Sequence, residues 1–424
     1  MIERLKNLQR TDLHGAALVT FAALVPVGEG VAYVALGLTA LMCAVSWRQA
    51  LRALIDRPTT RVMLVAFAVW LLCGLLAVAL SGHGWLRPAE LGRWPPLLAI
   101  FVVVASAPVV GEVWLKRAAM AFTVMLAVAS AFALIQYGFN VRPGEWLTRS
   151  TTGAGQALVP GEPRTVAGGF YFHRLKMGHV LLVGLAIACA RLFFGELPRR
   201  RWIAEAGLGA VFAVTLLLTF TRGAVLGGAA AGVVCLPFLR GRLRVIAVAV
   251  LVAAVAVGFA MPGVRTRMLS AGSEEASATR GLVWSQGVRI IADHPLGVGL
   301  GNYSALVGRY YDTVRPEFTV RTYPHSMVLA AWAETGPLGL FAYFWAWSAF
   351  AVACGRLLSS KPVAGENARR IAAGCGLFAI TALGVVGLTH DLLYHNSVAL
   401  AFAGVIGVVL ALIDEPVVRG PRLA

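Results

Sequence analysis

The chain has 424 residues, of which 58% are hydrophobic and only 13% are charged, and its mean hydropathy is +0.76. Soluble domains carry about 25% charged residues, so this composition excludes a soluble globular protein and predicts a multi-spanning, all-α membrane protein. The net charge of +17 does not indicate a nucleic-acid-binding protein, because the basic residues separate apolar runs instead of clustering in a polar domain.

The apolar runs predict about twelve transmembrane helices. They lie near residues 13–27, 30–47, 60–80, 91–108, 114–138, 170–194, 202–220, 223–239, 243–261, 326–352, 369–389 and 396–413. The first run lacks a signal-peptidase cleavage pattern, so we expect it to be a retained helix.

Lysine and arginine fill alternate junctions between these runs. The positive-inside rule therefore places those junctions and both termini in the cytoplasm. Residues 1–261 are predicted to hold nine helices and an outer loop near 139–169. Residues 262–325 are predicted to form a large periplasmic loop domain with helical segments, and residues 326–424 the last three helices and a cytoplasmic tail.

The two long outer segments contain arginine without lysine, although outward loops are expected to be poor in arginine. The arginines are Arg142, Arg149, Arg164, Arg265, Arg267, Arg280, Arg289, Arg309, Arg315 and Arg321. Arginine binds phosphate through two hydrogen bonds, which favours an anionic ligand on this face. The alternative is pairing with acidic residues of the same loops and contact with lipid head groups.

Two arginines lie in distinctive contexts. Arg222, in "TFTRGAVLG", is predicted at an outer turn where it faces a polar cavity or, alternatively, reaches lipid phosphate. Arg280 lies near the start of a predicted amphipathic helix over 277–297, where a helix N-terminus favours an anion. Its predicted apolar stripe contains Trp284, Val288 and Ile291.

The following segment "PLGVGLGNY" (295–303) predicts a tight turn that allows close backbone approach, since no βαβ unit surrounds these glycines. Next, "PHSMVLAAW" predicts a helix that begins at His325. The N-terminal dipole disfavours an imidazolium ion there, which suits a general base. The alternative is an interfacial histidine bonded to a loop carbonyl. Glu334 is predicted on another face of that helix, in a polar contact between helices.

Two further outer segments carry polar groups. "GLTHDLLYHNS" (387–397) places His390 and Asp391 at the last outer turn, as a polar wall of the same site. Lys176, in "FYFHRLKMGH", is predicted either to meet an anionic head group or to anchor its helix. No metal is predicted, because the histidines lack a ligand spacing and the outer loops lack a paired-aspartate motif.

Three ordered motifs, "TFTRGAVLG", "HPLGVGLGNY" and "PHSMVLAAWAETGPLGL", resemble the O-antigen ligase/polymerase superfamily, and in particular its O-antigen ligases. The resemblance implies a C-type glycosyltransferase of the bacterial inner membrane with a periplasmic active site. Such ligases transfer polysaccharide from undecaprenyl diphosphate to a sugar hydroxyl of lipid A–core, with inversion. They use no cofactor, metal or nucleotide sugar.

The resemblance carries catalytic roles over to three residues: Arg222, Arg280 and His325. Ser326 departs from the family, which often has Asn after the histidine. The candidate ligands of the diphosphate or another part of the substrate are Arg142, Arg164, Lys176, Arg265, Arg321, His390 and Asp391. An O-antigen polymerase, a protein O-oligosaccharyltransferase and a transporter with a midplane site remain as alternatives.

Overall fold

The computed structural model describes residues 2–86, 95–141, 165–171, 173–269, 274–311, 323–392 and 395–414. Fifteen α-helices lie in these ranges: α1 (Ile2–Leu24), α2 (Glu29–Val45), α3 (Trp47–Ile55), α4 (Pro58–Leu80), α5 (Pro95–Phe139), α6 (Arg174–Phe194), α7 (Arg199–Leu218), α8 (Arg222–Cys235), α9 (Gly241–Ala260), α10 (Pro262–Leu269), α11 (Glu274–Asp293), α12 (Tyr303–Leu306), α13 (Met327–Ser359), α14 (Asn367–Gly387) and α15 (Asn396–Ile413). The described residues form no β-strand, which confirms the all-α prediction for that part of the chain.

The predicted count of twelve spans is not confirmed. Eight described helices are long and apolar enough to span a membrane, or up to nine if α2 and α3, bent by 97°, form one span. The predicted runs 91–108 and 114–138 both lie in α5, which breaks between them at Gly111, where φ is 71°. In addition, α8 has only 14 residues, and α1 includes the charged first residues of the chain. The division of the chain at residues 261 and 325 stays a prediction.

Aromatic side chains hold α4 against α13. The ring centroids of Phe67 and Trp347 are 5.3 Å apart, as are those of Trp70 and Tyr343. Both pairs meet edge-on or tilted, the arrangements that aromatic rings prefer. These contacts hold α13, and the residues just before its first turn belong to the site described below.

The glycine segment between α11 and α12 is the tight turn that the sequence predicts. Gly297, Gly299 and Gly301 all have positive φ, between 77° and 95°. The Val298 N–H donates to the Ala333 carbonyl oxygen (2.8 Å) and the Gly299 N–H to that of Glu334 (3.0 Å). These bonds attach the turn to α13 immediately before that helix breaks at Gly336.

Asn302 extends this connection to the segment that follows α4. It is fully buried, its Nδ2 donates to the Gly84 carbonyl oxygen (2.7 Å), and its Oδ1 accepts the Leu86 N–H (3.0 Å). One amide therefore ties residues 84–86 to the end of the glycine turn, so that α4, the turn and α13 form a continuous support.

The packed face of α11 matches the predicted stripe only in part. Val283, Gln286 and Ile290 are buried and Ile291 packs beside them, whereas Val288 is 55% exposed. Gly287 lies on the packed side, where a Cβ would be in ordinary van der Waals contact with Leu329 and Pro324. Apolar periodicity alone does not identify this face, because it includes the polar Gln286 and a glycine.

We expect Gly299→Ala to destabilise the protein. A Cβ there would lie 2.4 Å from the Val78 Cγ2 and 2.9 Å from two backbone atoms of Val78, and φ is +95°. Backbone strain of this kind is worth about 1–3 kcal/mol, so the Tm of the detergent-purified protein should fall by several degrees. The control is Gly281→Ala in α11, where a Cβ meets no atom within 4 Å. An equal Tm for both variants would contradict this account of the turn.

Candidate active site

Five histidines come together at one end of the helix bundle. The histidine cluster consists of His173, His179, His325, His390 and His395. The rings of His179 and His390 are 5.3 Å apart, and those of His173 and His395 are 6.1 Å apart. Burial is the main cause that lowers the pKa of His390 and of His395, and an electrostatic interaction with His325 contributes to both, so His325 lies within electrostatic reach of the two rings.

The ends of α6, α14 and α15 position four of these residues. His173 caps α6, and its Nδ1 accepts the Lys176 N–H at 3.4 Å. His179 lies one turn further along α6 and is fully buried. His390 follows the C-terminus of α14, and His395 immediately precedes α15. The polar residues of two predicted outer segments therefore meet in one cluster.

His325 has an unusual backbone conformation. Its φ is +49°, in the left-handed region that non-glycine residues seldom adopt. Its N–H donates to the Asp391 Oδ2 at 2.7 Å, and Asp391 is only 3% exposed. Ser326 then caps α13, its Oγ accepting the Leu329 N–H at 3.4 Å. The helix begins two residues after His325, not at it, and a buried carboxylate holds the turn that presents the histidine.

His390 is the common neighbour of the two predicted arginine segments. A Cβ on Gly223 would lie 3.2 Å from the His390 Nδ1, so the turn that starts α8 packs against this imidazole. Arg222, half-buried, is the first residue of α8. The positive charge of Arg280 lowers the pKa of His390. The structure thus brings the Arg222 turn, Arg280 and His325 to one end of the bundle.

Burial and nearby positive charge keep three of the imidazoles neutral. Burial, followed by the charges of Arg280 and His325, lowers the pKa of His390 to about 3. Burial, then His173 and Lys176, lowers the pKa of His395 to about 4. Burial, then Lys176 and Arg174, lowers the pKa of His173 to about 4. At neutral pH these rings are therefore uncharged donors and acceptors of hydrogen bonds.

Sequence reasoning missed one member of this site, Glu29. It accepts hydrogen bonds at its Oε2 from the Lys176 Nζ (3.3 Å) and the Ser397 Oγ (3.0 Å). The signal for Glu29 was a lone acid between the first two apolar runs. Arg174, which belongs to the same predicted segment as Lys176, is 8% exposed, and its carbonyl oxygen accepts a bond from the Thr221 Oγ1 (3.2 Å).

The remaining predicted ligands differ in position. Lys176 lies beside the histidine cluster. It pairs with Glu29, and its charge contributes, after burial, to the lowered pKa of His173 and His395. Arg265 is exposed on α10, and no described contact joins it to the cluster. Arg142, Arg164 and Arg321 lie outside the described residues. Among the residues that are described, no three His, Cys, Asp or Glu side chains are arranged to hold a metal ion.

The arrangement is suited to an anionic substrate and to proton transfer. Arg174, Lys176 and Arg280 supply positive charge near the cluster, and guanidinium groups bind phosphate oxygens through paired hydrogen bonds. A general base needs a pKa near the operating pH. His173, His390 and His395, whose pKa values are lowered to about 3 or 4, therefore suit hydrogen bonding better than proton transfer, and His325 is the candidate base. The site can therefore accept a proton from a hydroxyl group, and its basic residues can stabilise a leaving group that carries negative charge.

Comparison with known proteins gives a match to part of the chain. Residues 207–344 match the family model described as O-antigen ligase. The matched segment contains Arg222, Arg280 and His325, and it confirms the resemblance that the three motifs predict. No curated protein matches the chain.

We expect the Tm of the protein to fall as the pH decreases from about 7 to about 5. His173, His390 and His395 have a lowered pKa when folded, so below the unfolded value of 6.5 the unfolded chain binds more protons. Each such histidine removes up to about 1.4 kcal/mol of stability per pH unit in this range. Melting curves of the purified protein across this range measure the slope.

The double variant His390→Gln/His395→Gln should have a shallower slope. His294→Gln is the matched control, because His294 packs against His83 away from the cluster. If the double variant keeps the wild-type slope, the two imidazoles are not held neutral by the fold.

Proposed function

We propose, from the match of residues 207–344 to the O-antigen ligase family, that this membrane protein is a glycosyltransferase that transfers polysaccharide from undecaprenyl diphosphate to a sugar hydroxyl of lipid A–core. The reaction takes place at the histidine cluster, which we assign to the periplasmic face of a bacterial inner membrane. Both termini then lie in the cytoplasm.

The observation that carries the proposal is the location of His325 in the matched segment. It stands at the start of α13, its N–H bonded to Asp391 and its ring within electrostatic reach of His390. His325 acts as the general base. Its imidazole takes the proton of the acceptor hydroxyl, whose oxygen attacks the anomeric carbon of the donor sugar from the side opposite the diphosphate.

The bond between the anomeric carbon and the diphosphate oxygen breaks as the new glycosidic bond forms, with inversion at that carbon. Negative charge then accumulates on the departing undecaprenyl diphosphate. Arg280 and Arg222 stabilise this charge as donors fixed in position before the reaction. The same positive field that lowers the pKa of His390 is the field that a diphosphate would experience.

We assign Lys176 and His390 to contacts with the diphosphate or the first sugar, because His390 belongs to the histidine cluster and Lys176 lies beside it. We assign the same kind of contact to Arg142, Arg164, Arg265 and Arg321, which the outer segments supply. For Asp391 we propose positioning instead of substrate binding, because a carboxylate repels a diphosphate and its Oδ2 already accepts the His325 N–H.

An O-antigen polymerase uses the same chemistry with a growing glycan as the acceptor, and a protein O-oligosaccharyltransferase uses it with a hydroxyl of a protein. The family description favours the ligase. A deletion strain distinguishes them. Loss of a ligase leaves lipid A–core without polymer, whereas loss of a polymerase leaves single repeat units on the core. Loss of glycan from proteins alone would indicate the third activity.

We expect His325→Ala to lower the transfer rate by about 100-fold or more, because general bases contribute on this scale. The assay uses purified protein, undecaprenyl-diphosphate-linked glycan and lipid A–core. Arg280→Gln should lower the rate as well, through loss of charge stabilisation. The wild-type rate should be unchanged by a chelator, since no step requires a metal.

The matched control is His294→Ala, a histidine outside the cluster. Wild-type activity of folded His325→Ala would overturn the role as base. No transfer by the wild type to lipid A–core, together with transfer to another acceptor, would reject the ligase.

Asp391 generates a separate prediction. Asp391→Asn keeps a side-chain oxygen that accepts the His325 N–H, whereas Asp391→Leu has a similar shape without an acceptor. We expect the Asn variant to retain most of the transfer rate and the Leu variant to lose about 100-fold, since misplacement of a reacting group by 1 Å has effects of this size. The KM for the donor should change little in both. Equal losses in the two variants would show that the charge of Asp391, and not its hydrogen bond, is what matters.

A further inference from the structure

A cavity of about 850 Å³ lies between α1, α5, α6, α7, α14 and α15, and no residue of the histidine cluster lines it. Its walls are formed mainly by apolar side chains, among them Phe21, Phe122 and Leu400. Cavities of this volume are large enough for small-molecule and lipid ligands. The proposed transfer reaction has no use for this space.

The cavity is elongated along the helices. On α15 its lining residues extend from Leu400 to Leu412, which corresponds to about 18 Å at 1.5 Å per residue. This is more than half of the apolar layer of a bilayer, which is about 30 Å thick. The shape suits an acyl chain that lies parallel to the helices better than it suits a compact polar metabolite.

All the charged residues of the lining lie at the end away from the histidine cluster. They are Glu112, Lys116, Arg191, Arg201 and Glu205. Lys116 pairs with Glu112 (2.5 Å), and Arg191 pairs with Glu205 (2.9 Å).

Arg201, exposed in the first turn of α7, makes no ion pair with any acid of the described chain. Among the described residues, the mouth of the cavity therefore carries one positive charge that is not paired with an acid.

We propose that this cavity binds an anionic glycerophospholipid, with its phosphate at Arg201 and one acyl chain between α5 and α15. Basic pockets between transmembrane helices on the cytoplasmic side bind anionic lipid head groups, and the basic junctions assign this mouth to that side. A polyprenyl phosphate has a similar charge, but its chain is far longer than the cavity. The bound lipid joins α1 and α7 to the rest of the bundle, and this role is independent of the transferase chemistry.

The test uses detergent-purified, delipidated full-length protein. Phosphatidylglycerol, phosphatidylcholine or undecaprenyl phosphate is added, and native mass spectrometry counts the lipids bound per chain while melting curves record the Tm. We expect phosphatidylglycerol to bind at one lipid per chain and to raise the Tm. Arg201→Gln should reduce its occupancy at least fivefold.

The matched control is Arg200→Gln, because Arg200 is an exposed neighbour that does not line the cavity. Ala119→Phe adds a ring to the cavity wall and should also exclude the lipid. If this variant fails to fold, the two arginine variants on the exposed turn decide the question. Equal binding of phosphatidylcholine, equal effects at Arg200 and Arg201, or binding of undecaprenyl phosphate alone would each overturn the proposal.

Discussion

The site depends on one hydrogen bond, from the backbone N–H of His325 to the buried carboxylate of Asp391. It joins the segment before α13 to the turn between α14 and α15, two parts of the chain separated by 66 residues. Because His325 has a left-handed backbone, its conformation is unfavourable without an external partner. Asp391 is that partner. The hydrogen bond also holds the backbone of His325 next to the turn that carries His390.

The burial of Asp391 has a second consequence for the electrostatics. An anionic carboxylate at 3% exposure would be costly unless donors or cations surrounded it. The Arg280 charge acts on His390, the residue immediately before Asp391. The positive environment that we assign to diphosphate binding therefore also stabilises the carboxylate that holds His325. Binding and positioning rest on the same set of charges.

The sequence predicted the all-α architecture, the glycine turn and the segments that form the site, because these depend on hydrophobic runs and on local conformational preference. The pairing of Asp391 with His325 could not be predicted, since it joins two outer turns whose relative position is set by helix packing. Glu29 was missed for the same reason: its partners Lys176 and Ser397 come from two other helices. The count of twelve spans is not confirmed by the eight or nine candidate spans of the described residues. At Gly111 the backbone breaks within one long helical segment, and composition does not distinguish such a break from a loop.

The break in α13 explains how a site made of helix ends can remain rigid. The helix would lose backbone hydrogen bonds at Gly336 and Pro337, but the glycine turn supplies donors to the carbonyl oxygens of Ala333 and Glu334 just before the break. A Cβ on Gly336 would lie 2.7 Å from the Leu296 carbonyl oxygen, so the two backbones approach too closely there for a larger residue. The first three turns of α13 are thus clamped between α11 and the turn that follows it. His325 lies just before the first of these turns, so the packing that holds α13 also holds His325 in position.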